Sequence, residues 1–424
     1  MARKGILTLI CLLGIPLAGM AVDNHASQTL DSLIGVALEA NPDIRAAQFD
    51  LAAAEYGART AGSLPDPQLS AGALNLPRTS LSLGETPMSA FSIGLSQAIP
   101  WPGKLRARGA IARLQARATA QSASAWQNSV VRQVRATYYE YSYWVLAERI
   151  LKENLLLTEN IIKVAEVRYA NGQSSIQEVL RARTAYGRLE NRLRRMVQEH
   201  RSALAQLGRL TNTTMSLDAE LEAYLAPPDG LNKEAALEES GERHPLLVGA
   251  ALQAEAAEKR LSLARADYWP DLTVGIDYGV RKDMPMDPVR GEDFVSARIG
   301  LRLPLYFWSK QKNSSRSARQ AMLAAEAREQ AVRIQIQQQL TDNALALQTT
   351  RESVNEYDRT IVPQAKAAWE AAQVAYEVGQ VDFDGLLASQ LERLNIQLER
   401  LDLLKQYHQK RAEREELLGN EYGR

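Results

Sequence analysis

The stretch DLTVGIDYGV, residues 271–280, decides the fold. Leu272, Val274, Ile276, Tyr278 and Val280 are apolar, and Thr273, Gly275, Asp277 and Gly279 between them are small or polar. Alternation with a period of two marks a strand that has one face in apolar surroundings. A second run follows, in which Val295, Ala297, Ile299, Leu301 and Leu303 oppose Ser296, Arg298, Gly300 and Arg302. The polar stretch from Arg281 to Asp293 joins the two as a hairpin loop. Each run has about nine to eleven residues, the length of a tilted strand that crosses a bilayer.

Working outward, the same hairpin occurs earlier in the chain. Between Ala90 and Gln97, Phe91, Ile93 and Leu95 alternate with Ser92, Gly94 and Ser96, and Gln68 to Leu76 supplies a less regular partner across the loop Pro77 to Ser89. The flanks repeat as well, at an offset of about 205 residues. Asn41-Pro42-Asp43-Ile44 opens an alanine-rich helical stretch that ends in Leu64-Pro65-Asp66, and His244-Pro245-Leu246-Leu247 opens another that ends in Trp269-Pro270-Asp271. Each second strand closes on a proline, Ile99-Pro100 and Leu303-Pro304, and Tyr169-Ala170-Asn171-Gly172-Gln173 returns as Tyr376-Glu377-Val378-Gly379-Gln380.

Between these landmarks the pattern is helical. No proline falls between Gly103 and Ala170, and Val130, Val134, Thr137, Tyr141 and Val145 recur at three- and four-residue spacing. Tyr186, Leu189, Leu193, Met196, His200, Leu204 and Leu207, and later Leu387, Leu391, Leu394, Leu398 and Leu401, come close to a heptad seam. Roughly 67 residues at about 1.5 Å each make a rod of about 100 Å. That is several bilayers long, and its other face is too charged for lipid.

Composition agrees. Aromatic residues are 6% of the chain, and 50 Lys and Arg balance 50 Asp and Glu, so no basic surface calls for nucleic acid or an anionic membrane. Arg3 and Lys4, an apolar stretch from Gly5 to about Ala18, and Gly19 and Ala21 around Met20 read as a secretory leader cut after residue 21. Cys11, the only cysteine, lies inside that leader behind Ile10, a poor context for lipid attachment. The mature chain is then expected to have no disulfide, thiolate metal site or cysteine nucleophile. The predicted organisation is a leader at 1–21 and a first unit at 22–212 with strands at about 67–76 and 89–98. A connecting equatorial segment follows at 213–243, then a second unit at 244–410 with strands at about 271–280 and 294–303, and a tail at 411–424.

Four strands with one lipid-facing side cannot stand alone in a membrane, because the outer strands would leave backbone N–H and C=O groups unpaired in hydrocarbon. Two chains would close eight strands around a filled interior; three would close twelve around a water-filled lumen. The expected fold is therefore mainly α with a transmembrane β-barrel. It consists of two tandem repeats of helix, β-hairpin, long helix and helix, which trimerise into a 12-stranded barrel and an α-helical barrel. Asp277, Arg298 and Arg302 on the polar faces would line the lumen. Pro100-Trp101-Pro102-Gly103 is the joint where strand becomes helix, and Trp101, Tyr306 and Trp308 are placed at interface depth.

These features resemble the TolC family of outer-membrane efflux channels over essentially the whole mature length. The resemblance is carried by Arg168-Tyr169-Ala170-Asn171-Gly172-Gln173-Ser174-Ser175 with Glu178-Val179-Leu180, and by its second copy from Tyr376 to Gln380 with Leu386-Leu387. The joint Ser96-Gln97-Ala98-Ile99-Pro100-Trp101-Pro102-Gly103-Lys104 is similar to the branch that serves heavy-metal cation exporters, of the CzcC and CusC type. The resemblance implies a homotrimer in the outer membrane that extends into the periplasm. It also implies docking to a periplasmic membrane-fusion adaptor and an inner-membrane pump, of the RND type for metal export. Asn171, Gly172, Gln173, Gly379 and Gln380 would form the adaptor-docking tips. Positions six and nine after Gly379, where an acidic constriction is expected in the family, hold Gly385 and Ala388, leaving Asp382 and Asp384 as the nearby carboxylates.

No catalytic, cofactor-binding or metal-ligating grouping stands out, so an enzyme is not expected. His25, His200, His244 and His408 lack metal-ligand spacing, and Met284 and Met286 have no third soft ligand. A soluble coiled-coil scaffold or surface fibre would use the same heptads and leaves the four strands unexplained. A type I protein-secretion duct or a drug-efflux duct would share the whole architecture.

Overall fold

A computed structural model of the protein describes residues 30–78, 82–83, 86, 88–214, 225, 241–283 and 291–419. The leader, most of the connecting segment, and Met284 and Met286 lie outside the described residues. The first half is α1 (Leu30–Ala40), α2 (Pro42–Thr60), β1 (Gln68–Leu74), β2 (Ala90–Ile99), α3 (Lys104–Ala170) and α4 (Ile176–Thr211). The second is α5 (Pro245–Ala266), β3 (Asp271–Arg281), β4 (Phe294–Arg302), α6 (Lys310–Glu356), a π turn (Tyr357–Ile361), α7 (Val362–Glu377) and α8 (Phe383–Leu417). The order of helix, hairpin, long helix and helix holds in both.

The strands form one antiparallel sheet in the order β1-β2-β3-β4. The halves meet at β2 and β3, with Ala90 opposite Arg281 and Ile99 opposite Leu272. This register gathers the alternating side chains: Phe91, Ile93, Leu95, Val274, Ile276, Tyr278 and Ile299 share one face, and Ser92, Gly94, Ser96, Asp277, Ser296 and Arg298 share the other. The apolar face covers no core, and Ile299 is 79% exposed.

Strand ends differ from the predicted bounds by one or two residues, each for a local reason. β1 stops at Leu74 because Asn75 takes a left-handed backbone (φ 51°) and its Nδ2 donates to the Met88 carbonyl. Ser89, predicted as strand, instead closes that turn, its Oγ donating to the Asn75 carbonyl. β4 ends at Arg302, since Leu303 precedes Pro304, which has no N–H to continue the ladder. The tail predicted from residue 411 is corrected too: α8 runs through Leu417, with Ala412, Arg414 and Leu417 buried. Leu417 packs with Leu247, Ile336 and Leu340, so the buried face of the helix continues past the predicted end.

Below the sheet there is no single core. Small clusters are strung along the helices, from Leu114, Leu252 and Ala256 under the sheet, through Leu33, Val134 and Leu207, to Leu151, Leu189, Met196 and Leu394, and finally to Ala165, Val179 and Phe383 at the far end. Each fully buried leucine removed from water contributes about 1.5–3 kcal/mol, and each helix collects this only from its neighbours. Gln390 crosses the seam between α3 and α8, its Nε2 donating to the Asn154 carbonyl and to Thr158 Oγ1.

The two halves are not identical. α3 is an unbroken helix of 67 residues, whereas its counterpart is α6, the π turn and α7 in line. Pro363 explains the break, because a proline inside a helix leaves the carbonyl four residues earlier, here of Arg359, without its N–H, and a wider turn absorbs the mismatch. The helix starts diverge as well. Asn41 caps α2, its Oδ1 accepting from the Asp43 and Ile44 N–H groups, and its Nδ2 donates to the Leu210 carbonyl. His244 caps α5 at the equivalent place, its Nδ1 accepting from the Leu246 N–H at 3.2 Å.

That cap makes stability pH-dependent. Burial holds the His244 pKa below its ordinary value of 6.5, and a protonated Nδ1 cannot accept. The unfolded chain takes up the proton first, so stability falls as pH drops below about 6.5, down to the folded pKa. Glu416 lines the same cleft, and burial raises its pKa above the ordinary carboxylate value, a shift that costs stability as pH rises and so has the opposite slope. The parent in detergent should show a fall in apparent melting temperature between pH 7 and 5.5, and His244→Asn, which transplants the cap of the first half, should remove it. Equal pH slopes for the two proteins would contradict this role.

Candidate functional site

Two regions collect the residues singled out in the sequence. The first is the sheet with its joints to the helices. Asp277 and Arg298 lie on the polar face of neighbouring strands, and Arg298 Nη2 meets Asp277 Oδ1 at 2.5 Å. Arg302 lies on the same face at the helical end of β4, opposite Asp271. Directly beneath, Gly103 adopts a left-handed conformation (φ 98°) that turns the chain from strand into α3. Lys104, buried, then reaches across to the other half. Its Nζ donates to the Trp269 carbonyl at 3.1 Å and to Asp271 Oδ1 at 2.9 Å, and it pairs with Asp267 at 3.3 Å. The Trp101 N–H also donates to Asp271 Oδ1, and the Trp101 and Trp269 rings stack with centroids 5.0 Å apart. The two strand-to-helix joints are thus bolted together.

Sequence reasoning named the joint at residues 100–103 and missed Lys104, Asp271 and Trp269 as its partners. The signal was present: Trp-Pro-Gly-Lys in one half and Trp-Pro-Asp in the other. Their complementarity depends on β2 and β3 being neighbours, which no local pattern reveals.

The second region is the opposite end of the rods. α3 ends at Ala170, Asn171 caps it, Gly172 takes φ 70°, and the Gln173 N–H returns to the Arg168 carbonyl. α7 ends the same way, with Gly379 at φ 77° and the Gln380 N–H on the Ala375 carbonyl. Both are helix stops in which the 6→1 bond requires a residue in the left-handed region, hence glycine. Asn171, Gly172, Gln173, Gly379 and Gln380 therefore sit at the two exposed turns of one end.

The two turns are tied to each other. Arg168 Nη1 donates to the Tyr376 carbonyl at 3.0 Å, and its guanidinium lies 4.6 Å from the centre of the Tyr376 ring. The Tyr376 hydroxyl donates to Glu178 Oε2 at 3.2 Å, and the ring packs edge-on against Phe383. Its counterpart in the first half, Tyr169, is exposed. One motif thus serves as a buried clasp in one half and as surface in the other, a difference that identical letters could not announce.

Both candidate constriction aspartates are engaged within the chain. Asp382 caps α8, its Oδ1 accepting from the Gly385 N–H at 2.9 Å. Asp384 pairs with Arg181 of α4. His200 approaches Glu148 at 3.3 Å and packs on Tyr141, and His408 is buried in a stack with Tyr139. Among the described residues no three His, Cys, Asp or Glu are grouped to hold a metal ion, and no helix is long and apolar enough to cross a membrane.

Known proteins share this architecture. The chain is 23% identical to the cobalt-zinc-cadmium resistance protein CzcC of Cupriavidus metallidurans, over 92% of this chain and 90% of that one. It superimposes on crystal structures of CusC with a TM-score of 0.77 at 17% identity, covering 92% and 91% of the two chains. It also superimposes on the outer membrane protein VceC of Vibrio cholerae, with a TM-score of 0.76 at 20% identity, covering 92% and 96%. At such identities the structures establish a shared fold. The sequence model of the family described as outer membrane efflux protein matches twice, at residues 33–213 and 236–420, in step with the two halves of the fold. The chain belongs to the outer membrane efflux protein family.

Proposed function

We propose that three copies of this chain close into a 12-stranded barrel in the outer membrane, continued by an α-helical barrel in the periplasm. The assembly is the passive exit duct of a tripartite heavy-metal cation exporter. The observation that carries this is the sheet itself: four strands, an exposed apolar face, and outer strands β1 and β4 with no further strand beside them among the described residues. In hydrocarbon each unpaired backbone group costs several kcal/mol, so lipid enforces closure, and twelve strands leave a lumen. The polar face with Asp277, Arg298 and Arg302 then turns inward.

The long helices carry the duct about 100 Å away from the sheet, ending in the paired glycine turns. Asn171, Gly172, Gln173, Gly379 and Gln380 present exposed backbone there for the hairpin of a membrane-fusion adaptor, beyond which an inner-membrane pump of the RND type supplies energy and chooses cargo. The narrow end is the constriction, with Asp382 and Asp384 beside it, held by the Arg168–Tyr376–Glu178 clasp and the Arg181–Asp384 pair. Heavy-metal cations as cargo are supported by the Trp-Pro-Gly-Lys joint and by the likeness to CzcC.

Three outcomes are expected. The mature protein should be extracted from membranes only with detergent and should run as an oligomer that resists heating; a detergent-free soluble monomer overturns the duct. Loosening the clasp with Arg168→Ala together with Asp384→Ala should raise the single-channel conductance of the reconstituted protein, and unaltered current would retire the tip as constriction. Deleting the gene should sensitise cells to cobalt, zinc or cadmium. Unchanged tolerance, with increased sensitivity to drugs or loss of a secreted protein instead, would leave the duct standing and transfer it to another exporter class.

A further inference from the structure

The polar face of the sheet carries its charge unevenly. Among the described strand residues, β1 and β2 contribute only uncharged side chains to it, such as Gln68, Ser70, Ser92 and Ser96. All its charged groups lie on β3 and β4, where three arginines stand against two aspartates: Arg281, Arg298 and Arg302 with Asp271 and Asp277.

The aspartates are withdrawn and the arginines are presented. Asp271 is turned into the joint, where Lys104 Nζ and the Trp101 N–H take the same oxygen. Asp277 lies flat on β2 over Gly94: a Cβ at position 94 would stand 2.2 Å from Asp277 Oδ1, so only glycine leaves room for the carboxylate. The Asp277 side chain is 12% exposed, while that of Arg298, which it holds, is 65% exposed. Arg302 is exposed and forms no ion pair among the described residues. It stands four positions from Arg298, about 13 Å along the strand, so the two guanidinium groups occupy successive levels of the wall.

We propose that this wall is a charge-selective element. Resting on the trimeric reading above, Arg298 and Arg302 form two superimposed positive rings that favour anions over cations in the barrel, and Asp277, seated on Gly94, is the positioning residue that holds Arg298 against the wall. In dilute salt a bare divalent cation is held back by this field unless anions accompany it, whereas anionic complexes of the same metal pass more readily.

The reach of the field sets the conditions of the test. The Debye length is about 8 Å at physiological ionic strength and about 30 Å at 0.01 M, so the rings act across the lumen only in dilute salt. Reversal potentials of the reconstituted protein are measured in KCl gradients near 10 mM and again near 1 M. In dilute salt, Arg298→Gln with Arg302→Gln should lower the chloride-to-potassium permeability ratio by about threefold, and in concentrated salt the difference should vanish. Asp277→Asn, which removes the counter-charge and keeps the size, should raise the ratio above that of the parent.

Arg302→Cys provides a second route, in which the charge is changed only after the channel has assembled. Modification by a cationic thiol reagent after reconstitution should restore the ratio, and an anionic reagent should lower it further. Parent-like ratios in dilute salt for the double variant, together with no response of Arg302→Cys to either reagent, overturn the inference while leaving the channel intact. A parent protein that neither oligomerises nor conducts overturns the trimeric reading, and this inference with it.

Discussion

A backbone amide has nowhere to hydrogen-bond in hydrocarbon except to another backbone, and this constraint governs the molecule. Within one chain it is met across three strand pairs, β1 with β2, β2 with β3 and β3 with β4. It is unmet at the two outer edges, and no core covers the apolar face. In the proposed duct the sheet gains its stability from lipid on one side and from closure with other copies. The inward face is thereby freed for polar side chains.

The helices answer the opposite problem. They are too charged for lipid and too long for one compact core, so apolar burial is divided into clusters along the rods, each shared by adjacent helices. Each cluster ties together the helices that share it. The bolt of Lys104, Asp271, Trp101 and Trp269 fixes how the rods leave the sheet, and the clasp of Arg168, Tyr376 and Glu178 fixes how they end. Between these two fastenings the halves run in parallel.

Duplication supplied two equivalent frameworks, and the chain uses them differently. Among the described strand residues, the first hairpin is uncharged on its polar face and the second carries every charge found there. Tyr376 is buried where Tyr169 is exposed. The second long helix contains Pro363 and a π turn where the first is continuous, and its cap is a titratable His244 where the first has Asn41. In each case the backbone position is shared and the side-chain environment is not.

The strands, the long helices, the repeat and the glycine turns were legible in the amino-acid sequence because each depends on local periodicity or on a backbone conformation that few residues tolerate. Period-two alternation at 272–280 marks a strand wherever it is placed, and Gly172 and Gly379 stop helices through their own φ. The end of α8 was misread because its buried face continues against α5 and α6, elements far away in the chain. Pro363 was visible, but its consequence depends on how the helix around it is held. The Lys104 bolt, the Tyr376 clasp and the seat of Asp277 on Gly94 were decided only by the tertiary structure. Each joins residues more than 150 positions apart, and strand register and helix packing, rather than any local pattern, determine which of them meet.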